Sequence, residues 1–360
     1  MHLLIATGLY PPEIGGPATY AKLLEDRLPK FGINVTVFPF REVRHLPPVV
    51  RHLAYAWKVA RMARSANLIL VQDTVSTGLP VAIASMFSRR PFVVRVPGDY
   101  AWEQGTQRFR VKDSLEEFQK HSYGLRVGLL RRIQRFVVNR AHRIIAPSHY
   151  LGEVVRGWLS RPRDITVIYN GVDLESPSGI RDNDLIVSSG RLVPWKGFSA
   201  LIDLVAKQQF WRLAILGEGP DRPALEKQIA AAKCGDRVQL FGNVSHDELR
   251  NWFSRCAVFV LNSRYEGMSH TLVEALAAGA PIVATNVGGN PEVIRDEVDG
   301  ILIPARNEAA LLRALVLVLH DPVMREKLST NARERAKYFS IDRTVEETAK
   351  LFSNIKDRPL

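Results

Sequence analysis

Short apolar runs alternate with helical segments along the whole of this chain. The first half carries such runs at residues 3–6, 35–38, 68–71, 92–96 and 143–146. The second half carries them at residues 165–168, 185–188, 212–216, 238–241, 258–261, 282–284 and 301–303. The runs are almost continuously apolar, which is typical of parallel strands covered by helices on both faces. The pattern predicts an α/β protein made of two doubly wound domains.

The length of the chain, 360 residues, also favours two domains, because a single hydrophobic core stops growing at roughly 250 to 300 residues. Turn-forming residues cluster in residues 170–179 and mark the predicted linker. We place the boundary near residue 175, between domains at residues 1–174 and 175–339. A last helical pattern in residues 340–360 predicts a helix that returns to the first domain.

Cysteine content and hydropathy indicate the cellular compartment. The two cysteines, Cys234 and Cys256, exclude a disulfide framework and favour a reducing environment. The first residues lack the charged and apolar pattern of a signal peptide. No uncharged apolar run reaches the ~18 residues that a membrane-spanning helix needs. We therefore expect a cytoplasmic protein that does not cross a bilayer.

The formal net charge of +12 is concentrated in the first half of the chain. Residues 1–175 carry 25 Lys and Arg against 14 Asp and Glu, whereas residues 176–360 carry 24 against 23. Between Arg126 and Arg143, arginines interrupt apolar residues at helical spacing, as in a basic amphipathic helix. Two interpretations stay open, attachment to an anionic membrane surface or a core-facing helix with a solvated basic face.

Glu266 and Glu274 flank the predicted start of a helix. Ser269 is the expected N-cap, because an apolar run with helical spacing follows it and Gly279 ends that run. The N–H groups at a helix start can hold a phosphate, and the two carboxylates can accept hydrogen bonds from sugar hydroxyls. The segment therefore outlines a nucleotide-sugar site. Taken alone, the spacing favours a capping motif beside two solvated acids.

Further motifs fall where predicted strands end, which is the edge at which open α/β sheets bind ligands. Gly15 and Gly16 follow the first strand and permit close approach of a diphosphate or sugar to the backbone. Arg191 and Lys196 follow the strand at 185–188 and supply two positive charges suited to a diphosphate. Any of these loops, taken singly, is also consistent with an ordinary turn.

Three more loops follow later strands of the second half. Loops around Gly219 and Val244 are placed to offer backbone groups to a nucleobase. The pair Gly288 and Gly289 again permits close approach of a ligand to the backbone, ahead of Glu292 in a first helical turn. Each of these loops also has a purely structural interpretation as a strand-to-helix turn.

Together these motifs resemble family 4 of the retaining glycosyltransferases, also described as glycosyl transferases group 1. The resemblance depends on three motifs in a fixed order. It extends over nearly the whole chain, because the glycine pair near the N-terminus and the Asn170–Asp173 segment also match. The three motifs are Gly190-Arg191-Leu192 with Lys196-Gly197, the E-x7-E pattern from Glu266 to Glu274, and Gly288-Gly289 with Glu292.

The resemblance implies a GT-B fold, in which two Rossmann-like domains face each other across a cleft and the second domain holds most of the sugar nucleotide. Arg191 and Lys196 would then bind the diphosphate leaving group, which needs no metal ion in such proteins. Glu274 would hold the ribose hydroxyls, and Glu266 would hold hydroxyls of the donor sugar.

The same resemblance implies backbone contacts to the donor. The N–H groups of Gly267, Met268 and Ser269 would meet the sugar or a phosphate. Gly15 and Gly16 would close over the diphosphate from the opposite domain. The loops around Gly219 and Val244 would meet the base.

The segment after the fourth strand departs from the family pattern. Members often carry a His-Asp pair there, but this chain has Gly98 followed by Asp99. Asp99 fits the acidic position of this pair. Because Gly98 stands where the histidine would be, we do not count a histidine among the expected contacts to the donor. Two roles for Asp99 stay open, orienting the acceptor or capping the next helix.

The sequence therefore predicts a retaining, metal-independent hexosyltransferase with no cofactor, which uses a UDP- or GDP-sugar as co-substrate and acts on an acceptor hydroxyl. The basic first half favours a lipid-linked or cell-envelope acceptor and a peripheral position on the inner face of the membrane. Two alternatives are a sugar-nucleotide epimerase of the same architecture and a non-catalytic sugar-nucleotide-binding protein. Nucleic acid is not an expected partner, because residues 126–143 lack interleaved exposed aromatic residues.

Overall fold

The computed structural model describes residues 1–13, 15–174 and 179–356, and it contains two six-stranded parallel sheets. The chain divides into two units, each with its own sheet. The first unit comprises Met1–Asn170 together with the chain from Asp342 onward, and the second unit comprises Gly171–Ile341. The predicted boundary near residue 175 falls in residues 175–178, which lie outside the described residues.

The sheet of the first unit is built from strands that are largely buried. Its strands, in chain order, are β1 (His2–Thr7), β2 (Asn34–Pro39), β3 (Leu68–Val71), β4 (Phe92–Arg95), β5 (Arg143–Ala146) and β6 (Ile165–Val167). They lie in the spatial order β2-β1-β3-β4-β5-β6, and every neighbouring pair is parallel. The apolar run at 165–168, which the sequence pattern grouped with the second half, is thus the edge strand of the first sheet.

Helices cover this first sheet. In chain order they are α1 (Gly16–Arg27), α2 (Arg41–Arg44), α3 (Pro48–Ala63), α4 (Gly78–Ser88), α5 (Tyr100–Arg108), α6 (Leu115–Lys120), α7 (Gly124–Arg140) and α8 (His149–Arg156). Ser148 caps α8 by accepting a hydrogen bond from the Leu151 N–H.

The second unit repeats the arrangement with a different strand order. Its strands are β7 (Asp182–Ser189), β8 (Arg212–Leu216), β9 (Val238–Gly242), β10 (Cys256–Leu261), β11 (Ile282–Thr285) and β12 (Ile301–Ile303). They lie in the order β12-β11-β10-β7-β8-β9, again all parallel. Its helices are α9 (Phe198–Ala206), α10 (Arg222–Ala231), α11 (His246–Arg255), α12 (His270–Ala277), α13 (Asn290–Val293), α14 (Glu308–His320) and α15 (Pro322–Ala336). Two parallel sheets with interleaved helices confirm the predicted α/β class of two Rossmann-like domains.

The last helix, α16 (Ile341–Lys356), packs on the first unit from Asp342 onward. The Tyr20 hydroxyl lies 3.2 Å from Thr348 Oγ1, and Thr344 Oγ1 donates a hydrogen bond of 3.0 Å to the Tyr169 carbonyl. Phe352 is completely buried. Among the helices of the described residues, none combines the length and the apolar character that a membrane crossing requires.

Candidate functional site

A buried ion pair joins two of the predicted site residues in the second unit. Lys196 Nζ lies 2.7 Å from Glu266 Oε1, and the two side chains are only 15% and 9% exposed. Ser263 Oγ donates a second hydrogen bond of 2.6 Å to the same carboxylate oxygen. A charge pair this far from water is costly to maintain unless its hydrogen bonds are satisfied, and the Ser263 hydroxyl supplies one of them here.

Local structure explains why Lys196 and Glu266 meet. Lys196 ends a short 3₁₀ turn after β7, and Glu266 lies in the loop between β10 and α12. Gly197 follows Lys196 in a left-handed conformation, and a side chain there would lie 2.1 Å from the Asn262 carbonyl. The Arg264 N–H also donates a hydrogen bond of 2.6 Å to the Trp195 carbonyl. The two loops are therefore tied together on both sides of the ion pair.

The Gly288-Gly289 motif supports Glu266 from a third loop. The Gly289 N–H donates a hydrogen bond of 3.0 Å to the Glu266 carbonyl. Gly288 has a φ of +55°, and a β-carbon on it would lie 1.9 Å from that carbonyl oxygen. The close approach expected from this motif is therefore made by the Glu266 backbone, and the structure explains the glycine without any ligand.

Glu274 lies on the second turn of α12, as predicted. Ser269 is the N-cap of this helix, and its side chain accepts a hydrogen bond from the Leu272 N–H. The N-terminal end of a helix carries partial positive charge, which favours an anion. Glu266 and Glu274 thus lie on either side of a capped helix start, which confirms the predicted local structure.

His246 is a partner of Glu274 that the sequence did not indicate. His246 Nδ1, at the start of α11, lies 3.2 Å from Glu274 Oε1. The hydrogen bond to Glu274 raises the pKa of His246, and the negative charge of Glu274 acts in the same direction, whereas burial and Arg250 oppose it. Only the capping box of Ser245 and Glu248 is visible in the sequence, because Glu274 is far from His246 along the chain.

The remaining predicted residues of the second unit lie on neighbouring loops. Arg191 is exposed after β7 and forms no ion pair with any described residue. Gly219 packs against this loop, because a β-carbon on it would lie 2.3 Å from the Leu192 carbonyl oxygen. Val244 is half-buried and precedes the helix that begins with His246. Gly267 and Met268 lie in the loop between Glu266 and the α12 cap.

Three predicted site residues belong to the first unit. Gly15 is the N-cap of α1 at a φ of +149°, and Gly16 is the first residue of that helix. Ile14, which precedes them, lies outside the described residues. Asp99 is the third residue, and it caps α5.

The Asp99 carboxylate is fully enclosed by protein hydrogen bonds. Oδ1 accepts hydrogen bonds of 3.0 Å from both the Trp102 N–H and Gln134 Nε2, and Oδ2 accepts one of 2.8 Å from Gln119 Nε2. Burial raises the pKa of Asp99, while these hydrogen bonds oppose the shift. The geometry favours the capping interpretation of Asp99 over direct contact with an acceptor.

Among the described residues, no cluster of three or more His, Cys, Asp or Glu side chains is arranged to hold a metal ion. Cys234 and Cys256 are free and buried, and burial raises the pKa of Cys256 to about 12. Both thiols are buried, whereas a reactive cysteine is at least partly exposed.

Two family models match this chain over adjoining segments. The model described as "Glycosyltransferase Family 4" matches residues 14–176, and the one described as "Glycosyl transferases group 1" matches residues 174–335. The second match contains the Lys196–Glu266 pair, the α12 helix start and the Gly288-Gly289 loop. The chain belongs to glycosyltransferase family 4.

Known proteins are consistent with this family assignment. An uncharacterised glycosyltransferase of Methanocaldococcus jannaschii is 28% identical over 223 residues, which is 62% of each chain. Matches to three curated relatives span 62%, 49% and 54% of the relatives' own length.

Solved structures of two other proteins share the fold. Sucrose-phosphate synthase from Thermosynechococcus elongatus gives a TM-score of 0.82 at 18% identity, over 99% of both chains. Anabaena Alr3699/HepE, solved with UDP and glucose, gives a TM-score of 0.78 at 22% identity, over 98% of this chain and 100% of that one. The family 4 protein described here therefore has the GT-B fold.

Proposed function

We propose that this protein is a retaining, metal-independent glycosyltransferase that moves a hexose from a nucleotide diphosphate sugar to an acceptor hydroxyl. The observation that carries the proposal is the buried Lys196–Glu266 ion pair next to the start of α12. That arrangement places a fixed cation, a carboxylate and a helix N-terminus at one edge of a parallel sheet. Family membership supports the transfer of a glycosyl group.

In this proposal the cations stabilise the leaving group. Lys196 and Arg191 bind the diphosphate, and the positive end of α12 adds to their field as negative charge develops on the departing oxygen. The bond from the anomeric carbon to the diphosphate breaks while the bond to the acceptor oxygen forms on the same face. The acceptor proton passes to the departing diphosphate, so no metal ion or other cofactor is required.

The carboxylates of the second unit hold the sugars of the donor in this proposal. Glu266 Oε1 is held by Lys196 and Ser263, and no described residue donates to Oε2, which suits it to accept from a hydroxyl of the hexose. Glu274 accepts from the ribose hydroxyls. The N–H groups of the Gly267–Ser269 loop meet the sugar or a phosphate.

Two further loops of the second unit complete the proposed donor site. The Gly219 and Val244 loops meet the base. A uridine nucleotide is supported by the HepE structure, which contains UDP and glucose. The alternative donor carries a guanosine nucleotide, so GDP-sugars are to be compared with UDP-sugars.

A membrane-surface acceptor is supported by the exposed face of α7. Leu125 is 93% exposed, and Leu129 and Phe136 are also exposed. Arg132 and Arg140 are exposed at positions that continue the same helical stripe. Apolar and basic side chains on one face suit the surface of an anionic bilayer. We therefore include a lipid-linked or cell-envelope glycan as the acceptor, and a peripheral position on the inner face of the membrane.

The proposed reaction is tested by product analysis. The protein is incubated with UDP- and GDP-hexoses and cell-envelope extracts, and products are detected by mass spectrometry. Nuclear magnetic resonance of the new linkage should show the anomeric configuration of the donor, with activity retained in a chelator. Inversion of the configuration would refute the retaining mechanism. Formation of an epimer from a nucleotide sugar alone would instead identify an epimerase.

A further inference from the structure

A cavity lined by basic side chains lies in the first unit, at the amino ends of β4 and β5. Its volume is about 490 Å³. Five of the described residues that line it are basic. They come from the ends of α4 and α7, from the segments that lead into the two strands, and from the loop before β6. We call it the arginine cavity, and its basic residues are Arg89, Arg90, Arg140, His142 and Arg163.

The arginine cavity lies on the opposite edge of the sheet from the predicted site residues of this unit. Asp99 and the Gly15 loop follow the carboxyl ends of β4 and β1, the edge where α/β sheets bind their substrates. Arg90 precedes β4, whose four residues span about 13 Å. The cavity is therefore separate from the proposed transfer site.

Two of the arginines that line the cavity, Arg163 and Arg90, already donate hydrogen bonds to backbone carbonyls. Arg163 Nη1 donates to the Asn139 carbonyl at 3.0 Å and Nη2 donates to the His142 carbonyl at 3.1 Å, so this side chain serves the C-terminal end of α7. Arg90 Nη2 donates to the Arg64 carbonyl at 3.2 Å. Among the described residues, no hydrogen bond or ion pair is made by the side chains of Arg89 and Arg140.

Within the part of the chain that the structure describes, no carboxylate lines the cavity to neutralise these charges. Asp164 is next to Arg163 in the chain but is exposed and forms no ion pair with it among the described residues. The pKa of His142 is lowered, first by burial and then by the charges of Arg143 and Arg163. The two arginine contributions, which act after burial and in the same direction, place positive charge close to the imidazole.

We propose that the arginine cavity binds a phosphate group carried by a phosphomonoester or a diphosphate. Arginine guanidinium groups match the geometry of phosphate oxygens, and several cations without a carboxylate partner favour an anion. Exposed apolar side chains lie nearby in sequence, since Phe87 is 80% exposed near the end of α4 and Phe136 is one turn before Arg140 on α7. The phosphate therefore belongs either to a lipid headgroup or to a soluble compound.

The test compares two double variants of the full-length protein that remove the same charge. R89N/R140Q alters the cavity, and asparagine tolerates the left-handed backbone of Arg89, whose φ is +53°. R126Q/R132Q removes two exposed arginines of α7 that do not line the cavity, and it is the matched control. Circular dichroism melting checks that both variants fold.

Isothermal titration with inorganic pyrophosphate is the first arm. Binding to R89N/R140Q should be about tenfold weaker than binding to the control, because Arg89 and Arg140 are both exposed and water screens each of the two lost contacts. Pyrophosphate bound at the proposed donor site contributes equally to both variants, so the difference isolates the cavity. In the wild-type protein, pyrophosphate should also shift the side-chain Nε–H signals of Arg89 and Arg140.

Sedimentation with phosphatidylcholine vesicles that contain phosphatidic acid is the second arm. Weaker retention of R89N/R140Q than of the control would identify a lipid headgroup as the source of the phosphate. Equal retention with a difference in the pyrophosphate arm would identify a soluble phosphate. Equal behaviour of the two variants in both arms, with unmoved arginine signals, would overturn the proposal whether or not the protein proves to be a glycosyltransferase.

Discussion

At the residue scale, the site depends on two charges that stabilise each other away from water. Lys196 and Glu266 are nearly buried, and Ser263 is the additional hydrogen-bond donor to the carboxylate. Removal of one charge leaves the other without its partner, which costs more than the loss of an exposed pair. The same two residues are proposed to meet the donor, so stability and activity are coupled at this pair.

Substitution of the buried cation should therefore reduce stability. Lys196→Ala is expected to lower the free energy of unfolding by about 2 kcal/mol, because the Glu266 carboxylate loses its charged partner. Lys207→Ala breaks the exposed pair with Glu308 and should cost less than about 0.5 kcal/mol. Urea denaturation of both variants measures the difference. An equally small decrease in the free energy of unfolding of both variants would show that burial does not strengthen the Lys196–Glu266 pair.

The His246–Glu274 pair predicts a dependence on pH. Because the folded-state pKa of His246 is raised, the pair contributes stability below the usual histidine pKa and loses it as the pH rises through the raised value. His246 is 64% exposed, so water screens most of this contribution.

The pKa itself is the more direct measurement for this pair. Glu274→Gln should move the pKa of His246 downward, toward its usual value of 6.5, as followed by nuclear magnetic resonance of the imidazole signals. Asp247→Asn removes a more weakly acting neighbouring acid and should shift the pKa less. A pKa of His246 that stays unchanged in Glu274→Gln would show that the two side chains do not interact in solution.

At the element scale, loops after different strands determine where the site residues lie. The β7 and β10 loops are joined through Gly197 and Asn262, and the β11 loop reaches Glu266 through Gly288 and Gly289. The strands supply the edge of the sheet, but these loop-to-loop contacts set the position of the ion pair. A substitution in the β11 loop should therefore affect the Lys196–Glu266 ion pair.

Gly288 provides the test of this coupling. Gly288→Ala is expected to lower the free energy of unfolding by about 2 kcal/mol or more, because a β-carbon would collide with the Glu266 carbonyl at a positive φ. Gly128→Ala is the control, since a β-carbon there meets nothing within 4 Å on α7 and should stabilise by roughly 0.5–1 kcal/mol. Thermal and chemical denaturation measure both effects. If Gly288→Ala left the free energy of unfolding unchanged, the loop would be free to move away from the new β-carbon.

Elements whose signals are local could be predicted from the sequence. The helix α12 is one, because Ser269 accepts from the N–H three residues later and the apolar spacing follows directly. The partner of Glu274 could not be predicted, because His246 reaches it only through tertiary packing of α11 on α12. The Gly288 motif was recognised, but its contact with Glu266 depends on the fold of two separate loops.

At the scale of the whole molecule, charge is distributed unevenly between the two halves of the chain. The basic excess lies in residues 1–175, and α7 combines exposed arginines with exposed apolar side chains. Sequence spacing indicated the helix but left both interpretations of its basic face open. Exposure of Leu125 and Leu129 supports the membrane-surface interpretation, which needs a direct test.

Vesicle binding tests that interpretation. At low salt, vesicles with anionic lipid should retain the protein, and Leu125→Ser/Leu129→Ser should reduce retention because apolar area that enters the interface is lost. Retention should also fall as the ionic strength rises toward 0.15 M, where the Debye length is about 8 Å. Neutral vesicles serve as the control. Loss of all retention on anionic vesicles at low salt would refute membrane attachment.

In the proposed reaction, Lys196 and Arg191 hold the diphosphate of an activated sugar. Isothermal titration with UDP and GDP, on the wild-type protein and on Arg191→Gln/Lys196→Gln, measures whether they do. One of the two nucleotides should bind the wild-type protein, and the double variant should bind it about a hundredfold more weakly, through loss of two charge-assisted contacts. Equal affinity of the wild-type protein and the double variant would refute this role of Lys196 and Arg191.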